Sequence, residues 1–317
     1  MKLNLIDWLG ENNPQLFREL KGRLKPRNIA IASAISLVGQ ILVYFNYKSL
    51  LPVVPGFNRY CTGSPPPDWD GYRYPDSYFP NNYCIKDLLG NWMLINELWW
   101  LDIFMCISII GIFALLVVGT YLLITDLSQE ERRGTLSFIR LSPQSAKSIF
   151  LGKILGVPIL LYLISGLALP LHLIAGLSAH IPFSLILAFY SILIASCAFF
   201  YSAALLFGLV SASLGGFQSV LGSGAILLFL MAMTGRVMSG AISGFNSFDW
   251  LTLLYPGTVL SYLVQATFLP PQTVGYLNVE RLVDLRWYGQ QLWIQAWSGI
   301  GFILLNYCLW SSWLGQR

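Results

Sequence analysis

The chain has little charge. Only 11% of its 317 residues are Asp, Glu, Lys or Arg, whereas 56% are hydrophobic and the mean hydropathy is +0.62. Soluble domains carry about 25% charged residues, so this composition excludes an ordinary soluble protein and indicates a membrane protein. Long segments without a charged residue include 28–47, 103–125, 154–235 and 287–316.

Sequence motifs for chemistry are also missing. No Walker-type phosphate-binding motif occurs, because the run FLGKIL has Ile154 where Ser or Thr is required. The chain has only two histidines, His172 and His180, and no two cysteines are spaced as the ligands of a metal site usually are. We therefore expect no metal site. Serines near His172 are more typical of helix packing than of intramembrane proteolysis. We therefore expect a chain that is not an enzyme, binds no cofactor or nucleic acid itself, and does not hydrolyse ATP.

The charge-free segments predict six membrane spans. A span needs about 20 apolar residues, so the three shorter segments hold one each and residues 154–235 hold three. Because the spans contain no Asp, Glu, Lys or Arg, proton- or ion-driven transport is disfavoured. Lys and Arg are concentrated before span one and between spans two and three, which predicts cytoplasmic termini in a cell (inner or plasma) membrane. The predicted spans are 28–47, 103–125, 154–177, 182–210, 217–235 and 291–314.

Residues 236–290 do not fit this count. The charge-free part, 250–279, is broken by Pro256-Gly257 and again by Pro270-Pro271, which leaves too few continuous residues for a span. We predict an outer re-entrant hairpin before the last span, sheltered by protein or water. A seventh span, which would place the C-terminus outside, is the alternative.

The loop predicted between spans one and two, 48–102, is long, rich in proline and tyrosine, and faces outward. It contains Cys61 and Cys84, whereas the other three cysteines fall in spans. In an oxidising compartment a disulfide between the two would stabilise the loop by roughly 3 kcal/mol. Two free or packed thiols are the alternative.

The cytoplasmic segment 126–153 contains the cluster SQEERRGTLSFIRLSP at 128–143. Ser128 followed by Glu131 is typical of a capping box, so we predict a short helix from Ser128 to Ile139. Ser142 and Pro143 would end it and begin a second helix. A glycine inside a helix lowers helix stability by up to about 1 kcal/mol. Gly134 at this position is therefore more easily explained where another surface packs closely against the helix. A plain loop whose arginines only set orientation is the alternative.

The N-terminal region 1–27 contains a second amphipathic element. Asn13 can cap a helix that has Pro14 in its first turn. Leu16, Phe17, Leu20 and Leu24 then share one face, opposite Arg18, Lys21 and Lys25, which predicts a helix lying in the membrane interface. A simple lipid anchor and a helix that also contacts a partner are both compatible with this pattern.

These features resemble one family. The motif E-x-x-G-T-L from Glu131 to Leu136, then Leu141-Ser142-Pro143, and Gly152-Lys153 before a span are similar to the cytoplasmic signature of type-2 permeases of ABC exporters. Six spans, inside termini and an outer hairpin before the last span are similar too. The outer loop departs from the family, whose connection there is usually short.

The resemblance implies an all-α polytopic fold with a cytoplasmic coupling helix, and an N-terminal connecting helix, that dock on a separate ATPase subunit. That ATPase would hold the ATP and magnesium. The chain would pair with itself or a similar permease, contact membrane lipids, and export an apolar or amphipathic substrate such as a lipid, glycan-lipid or drug. A non-transporting anchoring or assembly protein that binds a partner through its outer loop is the alternative. The implied ATPase contacts are Arg18, Lys21, Glu130, Glu131, Arg132, Arg133, Gly134, Thr135 and Leu136.

Overall fold

The protein is built almost entirely from helices. The computed structural model describes residues 13–63, 82–134, 145–211, 214–239, 251, 254–276, 286–287 and 290–291. Two-residue strands β1 (Arg286–Trp287) and β2 (Gln290–Gln291) pair antiparallel. The α-helices are α1 (Pro14–Arg23), α2 (Pro26–Ser49), α3 (Asn96–Phe113), α4 (Gly119–Arg132), α5 (Ala146–Gly156), α6 (Ile159–Ser178), α7 (Phe183–Val210), α8 (Phe217–Ser239), α9 (Val259–Gln265) and α10 (Pro271–Val274).

Five helical segments in the described part of the chain are long and apolar enough to cross a membrane. They are α2, the continuous helix Asn96–Arg132, α6, α7 and α8 up to Met238. Many apolar side chains on their outer faces are exposed, among them Ile35 and Leu42 on α2. Lipid covers such faces in a bilayer, so the chain is a multi-pass helical membrane protein.

Successive spans run in opposite directions between two polar ends. We call the end that holds α1, α5 and Arg132 the ion-pair end, and the end that holds Cys61, Cys84 and Asp102 the disulfide end. At the disulfide end the α6–α7 turn lies on the start of α3, where His180 Nε2 is 3.1 Å from Glu97. At the ion-pair end the α7–α8 connection lies on α4, where the Ser128 hydroxyl donates to the Gly215 carbonyl.

The described spans agree with the sequence prediction in part. Helices α2, α7 and α8 overlap the predicted first, fourth and fifth spans. The third begins later than residue 154, because Pro158 separates α5 from α6. The predicted sixth span, 291–314, lies almost wholly outside the described residues.

The second spanning helix is much longer than predicted. Asn96–Arg132 has 37 residues and would extend about 55 Å, so its ends stand beyond a hydrocarbon core of about 30 Å. It therefore includes Asp102, and the prediction that Asp102 lies in the preceding loop is wrong. One π-helical turn, Ala114–Val118, interrupts it. The Tyr201 hydroxyl donates to the Leu115 carbonyl in that turn at 2.6 Å.

The prediction of a helix that starts at Ser128 is also wrong. Ser128 is a buried interior residue of α4, and the helix ends at Arg132. Gly134 has φ +69°, a conformation that favours glycine, and its N–H donates to the Glu131 carbonyl. Gly134 is thus a helix-ending residue. The remainder of the predicted helix, with Thr135 and Leu136, lies outside the described residues.

Residues 254–276 fold against the disulfide end of the bundle. A 3₁₀ turn, Pro256–Thr258, leads into α9, and nearly all side chains from Tyr255 to Val264 are buried. The hydroxyls of Tyr255 and Thr234 lie 2.7 Å apart. Helix α9 has seven residues, too few to span, so the described part of the region contains no seventh span.

The loop after α2 is tied back onto the spans. Cys61 and Cys84 form a disulfide, the pair that the sequence indicated. The Trp99 indole N–H donates to the Tyr47 carbonyl, which joins α3 to the end of α2. Helix α3 starts at Asn96, so the loop is shorter than the predicted 48–102, and 64–81 lie outside the described residues.

Two glycines let α1 pack closely on α5. Asn13 caps α1, since its Oδ1 accepts from the Leu16 N–H at 2.9 Å, and its Nδ2 donates to the Ser148 carbonyl. A Cβ added at Gly152 would lie 2.8 Å from the Gln15 side chain, and one at Gly156 would lie 2.5 Å from Glu19 Cβ. This G-x-x-x-G pair therefore leaves the space in which α1 lies.

Gly156→Leu should displace α1 from α5. The added side chain overlaps Glu19, and overpacking of this kind costs about 1–3 kcal/mol. Spin labels at Gly22 and Lys147 would report a longer and broader distance between the two helices. Gly166→Leu is the matched control, because nothing lies within 4 Å of that position. An unchanged distance in Gly156→Leu would contradict the packing.

Candidate functional site

A buried lysine joins three helices at the ion-pair end. Lys153 of α5 has a side chain only 5% exposed, and its Nζ lies 3.0 Å from Glu19 Oε1 of α1. The same Nζ is 2.5 Å from Asp126 Oδ2 and 2.7 Å from Glu130 Oε1, both on α4. One ammonium thus holds α1, α4 and α5 together.

Two arginines of α1 complete the network. Arg23 lies 3.2 Å from Glu19 and 2.5 Å from Asp126. Arg18 pairs with Glu130 and lies 3.3 Å from Glu19. Three cations therefore face three carboxylates, and the cluster is neutral overall. We call these six residues, Arg18, Glu19, Arg23, Asp126, Glu130 and Lys153, the ion-pair cluster.

The cluster keeps Lys153 and Glu19 charged. Burial alone would lower the pKa of Lys153, but attraction to Asp126, Glu19 and Glu130 outweighs burial and leaves that pKa above its ordinary value. Burial alone would raise the pKa of Glu19, but Lys153 and then Arg23 outweigh it and leave the pKa lowered. Each charge stabilises the others, so removal of one leaves an uncompensated buried charge.

The three carboxylates do not form an open metal site. Oxygens of Glu19, Asp126 and Glu130 lie within 4.8 Å of one another, which is close enough for a cation. The Lys153 ammonium, however, lies within 3.0 Å of an oxygen of each. It occupies the position and supplies the charge that a bound metal ion would.

The residues expected to contact an ATPase divide into two groups. Arg18 and Glu130 belong to the ion-pair cluster and bind within the chain. Lys21 is exposed and lies over the Phe17 ring, 5.7 Å from its centre. The end of α4 is exposed as one continuous surface, which we call the α4 tip: Glu131, Arg132, Arg133 and Gly134.

Sequence reasoning missed Lys153, Glu19 and Asp126 as functional residues. Lys153 directly precedes the longest charge-free segment, and Asp126 directly follows another. A charged residue at the boundary of a charge-free segment is equally compatible with a solvent-exposed position next to a membrane span. Only the packing of α1 against α4 and α5 brings these three side chains together.

A second polar centre lies at the disulfide end around Asp102. Its carboxylate accepts from the hydroxyls of Tyr60 at 2.8 Å and Tyr276 at 2.6 Å. Arg59 Nη2 lies 3.3 Å from the carboxylate and donates to the Val274 carbonyl at 3.1 Å. Burial, and then the charge of Asp102, raise the pKa of both tyrosines, so both remain hydrogen-bond donors. The loop after α2 meets α3 and the 254–276 segment here.

A serine and a histidine do meet inside the bundle. His172 Nε2 lies 2.7 Å from the Ser108 hydroxyl, and His172 Nδ1 lies 2.6 Å from that of Tyr190. The ring stacks on Phe104, and Ser108 and His172 are 3% and 4% exposed. Ser108 also donates to the Phe104 carbonyl. This arrangement joins α3, α6 and α7 by satisfied hydrogen bonds and gives a substrate no access.

Comparison with protein-family models, with curated proteins and with solved structures finds no match to this chain. The functional proposal below therefore depends on the geometry described above and on the sequence motif at 131–136.

Lys153→Met should undock α1. The substitution leaves Glu19, Asp126 and Glu130 with too few cations, and breaking a buried ion pair costs about 3 kcal/mol or more. Trypsin should then cleave the chain faster between Arg18 and Lys25. Mass spectrometry of the fragments measures the cleavage rate. Lys48→Met, at an exposed position at the disulfide end, should leave the cleavage rate unchanged. Equal cleavage in both variants would show that Lys153 does not hold α1.

The docking of α1 should persist over a wide pH range. The Glu19 pKa is lowered, so its contribution is present above its ordinary value of 4.5 and is lost as pH falls below it. The Lys153 pKa is raised, so its contribution is present below 10.5 and is lost as pH rises above it. The distance between spin labels at Gly22 and Lys147 should hold from about pH 5 to pH 10 and increase outside that range. A transition near pH 7 would contradict the assignment.

Proposed function

We propose that this chain is the membrane-spanning subunit of an ATP-driven exporter of the type-2 ABC permease kind, with its ATPase on a separate chain. The observation that carries the proposal is the exposed α4 tip, which the ion-pair cluster joins to α1 and α5. The tip contains Glu131 and Gly134 of the motif that resembles the family signature. It gives an ATPase a polar surface that is rigidly connected to the spans.

The long helix provides a path for force. Asn96–Arg132 is continuous from the α4 tip to the Asp102 centre. A displacement of the tip by ATP-driven closure of two ATPases would therefore move this helix as a body. The π-helical turn at Ala114–Val118 is a natural place for the helix to bend, because such turns weaken the regular hydrogen bonding and are frequent at functional sites.

The proposed topology places the ion-pair end in the cytoplasm. Five described spans leave Met238 at the disulfide end, so a sixth span at 291–314 would return the C-terminus to the side of the N-terminus. Lys and Arg concentrate at the ion-pair end, as the positive-inside rule requires of a cytoplasmic face. The segment 254–276, buried against the outer end, would then be the re-entrant hairpin.

A dimer of this chain, or a pair with a similar permease, would present two α4 tips to two ATPase subunits. ATP and magnesium would bind those subunits and not this chain. The partly exposed apolar face of α1, which includes Leu16, Phe17 and Leu20, would lie in the cytoplasmic lipid surface. The cargo would be apolar or amphipathic.

One observation favours the alternative of an anchoring or assembly protein. The outer loop presents Leu88 and Leu89 fully to the surroundings, on a turn held by the Asp87 carboxylate, which accepts from the N–H groups of Leu89 and Asn91. Exposed apolar side chains on an ordered turn are typical of contact with a partner or a membrane.

The exporter proposal is tested by charge reversal at the α4 tip. The permease is co-expressed with a candidate ATPase and purified through a tag on the permease, and retained ATPase and its activity are measured. Glu131→Lys with Arg133→Glu should reduce retained ATPase about tenfold or more, because reversed charges oppose the partner surface. Lys48→Glu, an exposed charge reversal at the disulfide end, is the control.

Equal retention of ATPase by the tip variant and the control would overturn the coupling assignment. Replacement of Leu88 and Leu89 by Ser distinguishes the anchoring function from the exporter function. If that change releases a captured membrane partner while ATPase association is absent throughout, the anchoring function is favoured instead.

A further inference from the structure

A cavity of about 680 Å³ opens beside the Asp102 centre at the disulfide end. Its volume falls within the roughly 300–1,000 Å³ of typical ligand sites. It lies between helices α2, α3 and α8, and Tyr47, Met105 and Met238 each contribute one wall. None of the charges of the ion-pair cluster lines it.

The lining changes from polar to apolar along α3. Asp102, Met105, Cys106, Ile109 and Ile110 occupy one helical face, so the cavity extends along the helix for about 12 Å. Most polar side chains gather at the Asp102 end, and Tyr47 forms a side-chain hydrogen bond with Cys106 farther along. The wall deeper in the span consists of sulfur-containing and aliphatic side chains, which is a surface for a hydrocarbon chain.

The exposure of two apolar lining residues indicates that the cavity opens on a face of the bundle that lipid would cover. Two of its lining residues, Leu50 on the α2 side and Ile110 on α3, are about half exposed at 48% and 52%. A molecule already in the bilayer could enter sideways between α2 and α3 without crossing water. Such an opening suits a membrane lipid better than a solute from solution.

The polar end presents a cation to a ligand. The Asp102 side chain is 5% exposed, and its oxygens accept from Tyr60, Tyr276 and Arg59. The Arg59 side chain is 25% exposed and lines the cavity beside Asn58. The guanidinium also stacks on two rings, with its carbon 5.5 Å from the centres of both Tyr60 and Tyr276. Because the carboxylate is more deeply buried than the guanidinium, a headgroup in the cavity contacts Arg59 first, and guanidinium groups bind phosphate well.

We propose that this cavity binds an anionic phospholipid of the outer leaflet, with one acyl chain along Met105, Cys106 and Ile109 and the phosphate beside Arg59. The claim that this lipid is the class of substrate transported rests on the proposed export function. The claim that the cavity binds the lipid does not depend on that function. Binding is therefore measured on the purified chain without an ATPase.

Native mass spectrometry of the detergent-purified protein supplies the first test. Phosphatidylglycerol, phosphatidylcholine with the same chains, and glycerol phosphate without chains are titrated separately. One phosphatidylglycerol should be retained about tenfold more tightly than phosphatidylcholine, because the phosphatidylcholine headgroup has no net charge. Glycerol phosphate should not bind. Equal binding of the two lipids, or binding of glycerol phosphate, would overturn the proposal.

Variants separate the two parts of the site. Ile109→Trp fills the apolar wall and should abolish retention, whereas Ile194→Trp, on the exposed face of α7, should not. Arg59→Gln should remove the preference for phosphatidylglycerol, and Arg59→Lys should keep much of it. If Arg59→Gln does not fold, the Ile109→Trp comparison still decides. Unchanged retention in Ile109→Trp would overturn the proposal.

Cys106 provides an independent readout. It is a free cysteine, partly exposed, on the cavity wall, so a small maleimide should label it in lipid-free detergent and peptide mass spectrometry should locate the label. Phosphatidylglycerol should slow the labelling about tenfold. Labelling that lipid does not slow, or no labelling at all, would contradict an open lipid cavity. Lipid retention without ATPase association would overturn the exporter and leave this site standing.

Discussion

The ion-pair end depends on one buried ammonium. Lys153 is enclosed by Glu19, Asp126 and Glu130, and a charge so sheltered is tolerated only where opposite charges surround it. Since each carboxylate belongs to a helix that must approach α5, the requirement fixes α1 and α4 at the same time. The glycines at 152 and 156 make the close approach of α1 possible.

A single helix connects this cluster to the second polar centre. The cluster residues Asp126 and Glu130 lie near one end of Asn96–Arg132, and Asp102 lies near the other. Between them the helix is apolar and contains one π-helical turn, which the Tyr201 hydroxyl satisfies. This combination of two charged ends and an apolar shaft underlies both proposals: coupling to an ATPase at the α4 tip, and lipid binding beside Arg59.

Part of this organisation was predictable from the sequence. The charge-free segments located α2, α7 and α8, because a membrane excludes unpaired charges from such helices. Asn13 before Pro14 indicated the start of α1, because helix capping is a local interaction. Ser128 and Glu131 led to a wrong prediction of a helix start. The same spacing of Ser and Glu also occurs in the interior of a longer helix, as it does in α4. Asp102 was misplaced for a related reason: its burial depends on Tyr60 and Tyr276, which are distant in the chain.

The sequence by itself determined that the chain crosses a membrane several times, roughly where most spans lie, and which cysteines share the loop after α2. These properties follow from composition and from neighbours along the chain. Only the tertiary structure decided that Glu130 and Arg18 bind each other, that Lys153 joins three helices, and that a cavity lies beside Arg59. Those arrangements depend on pairing between residues far apart in the chain, such as Glu19 with Lys153, which are 134 positions apart, and no local pattern encodes such a contact.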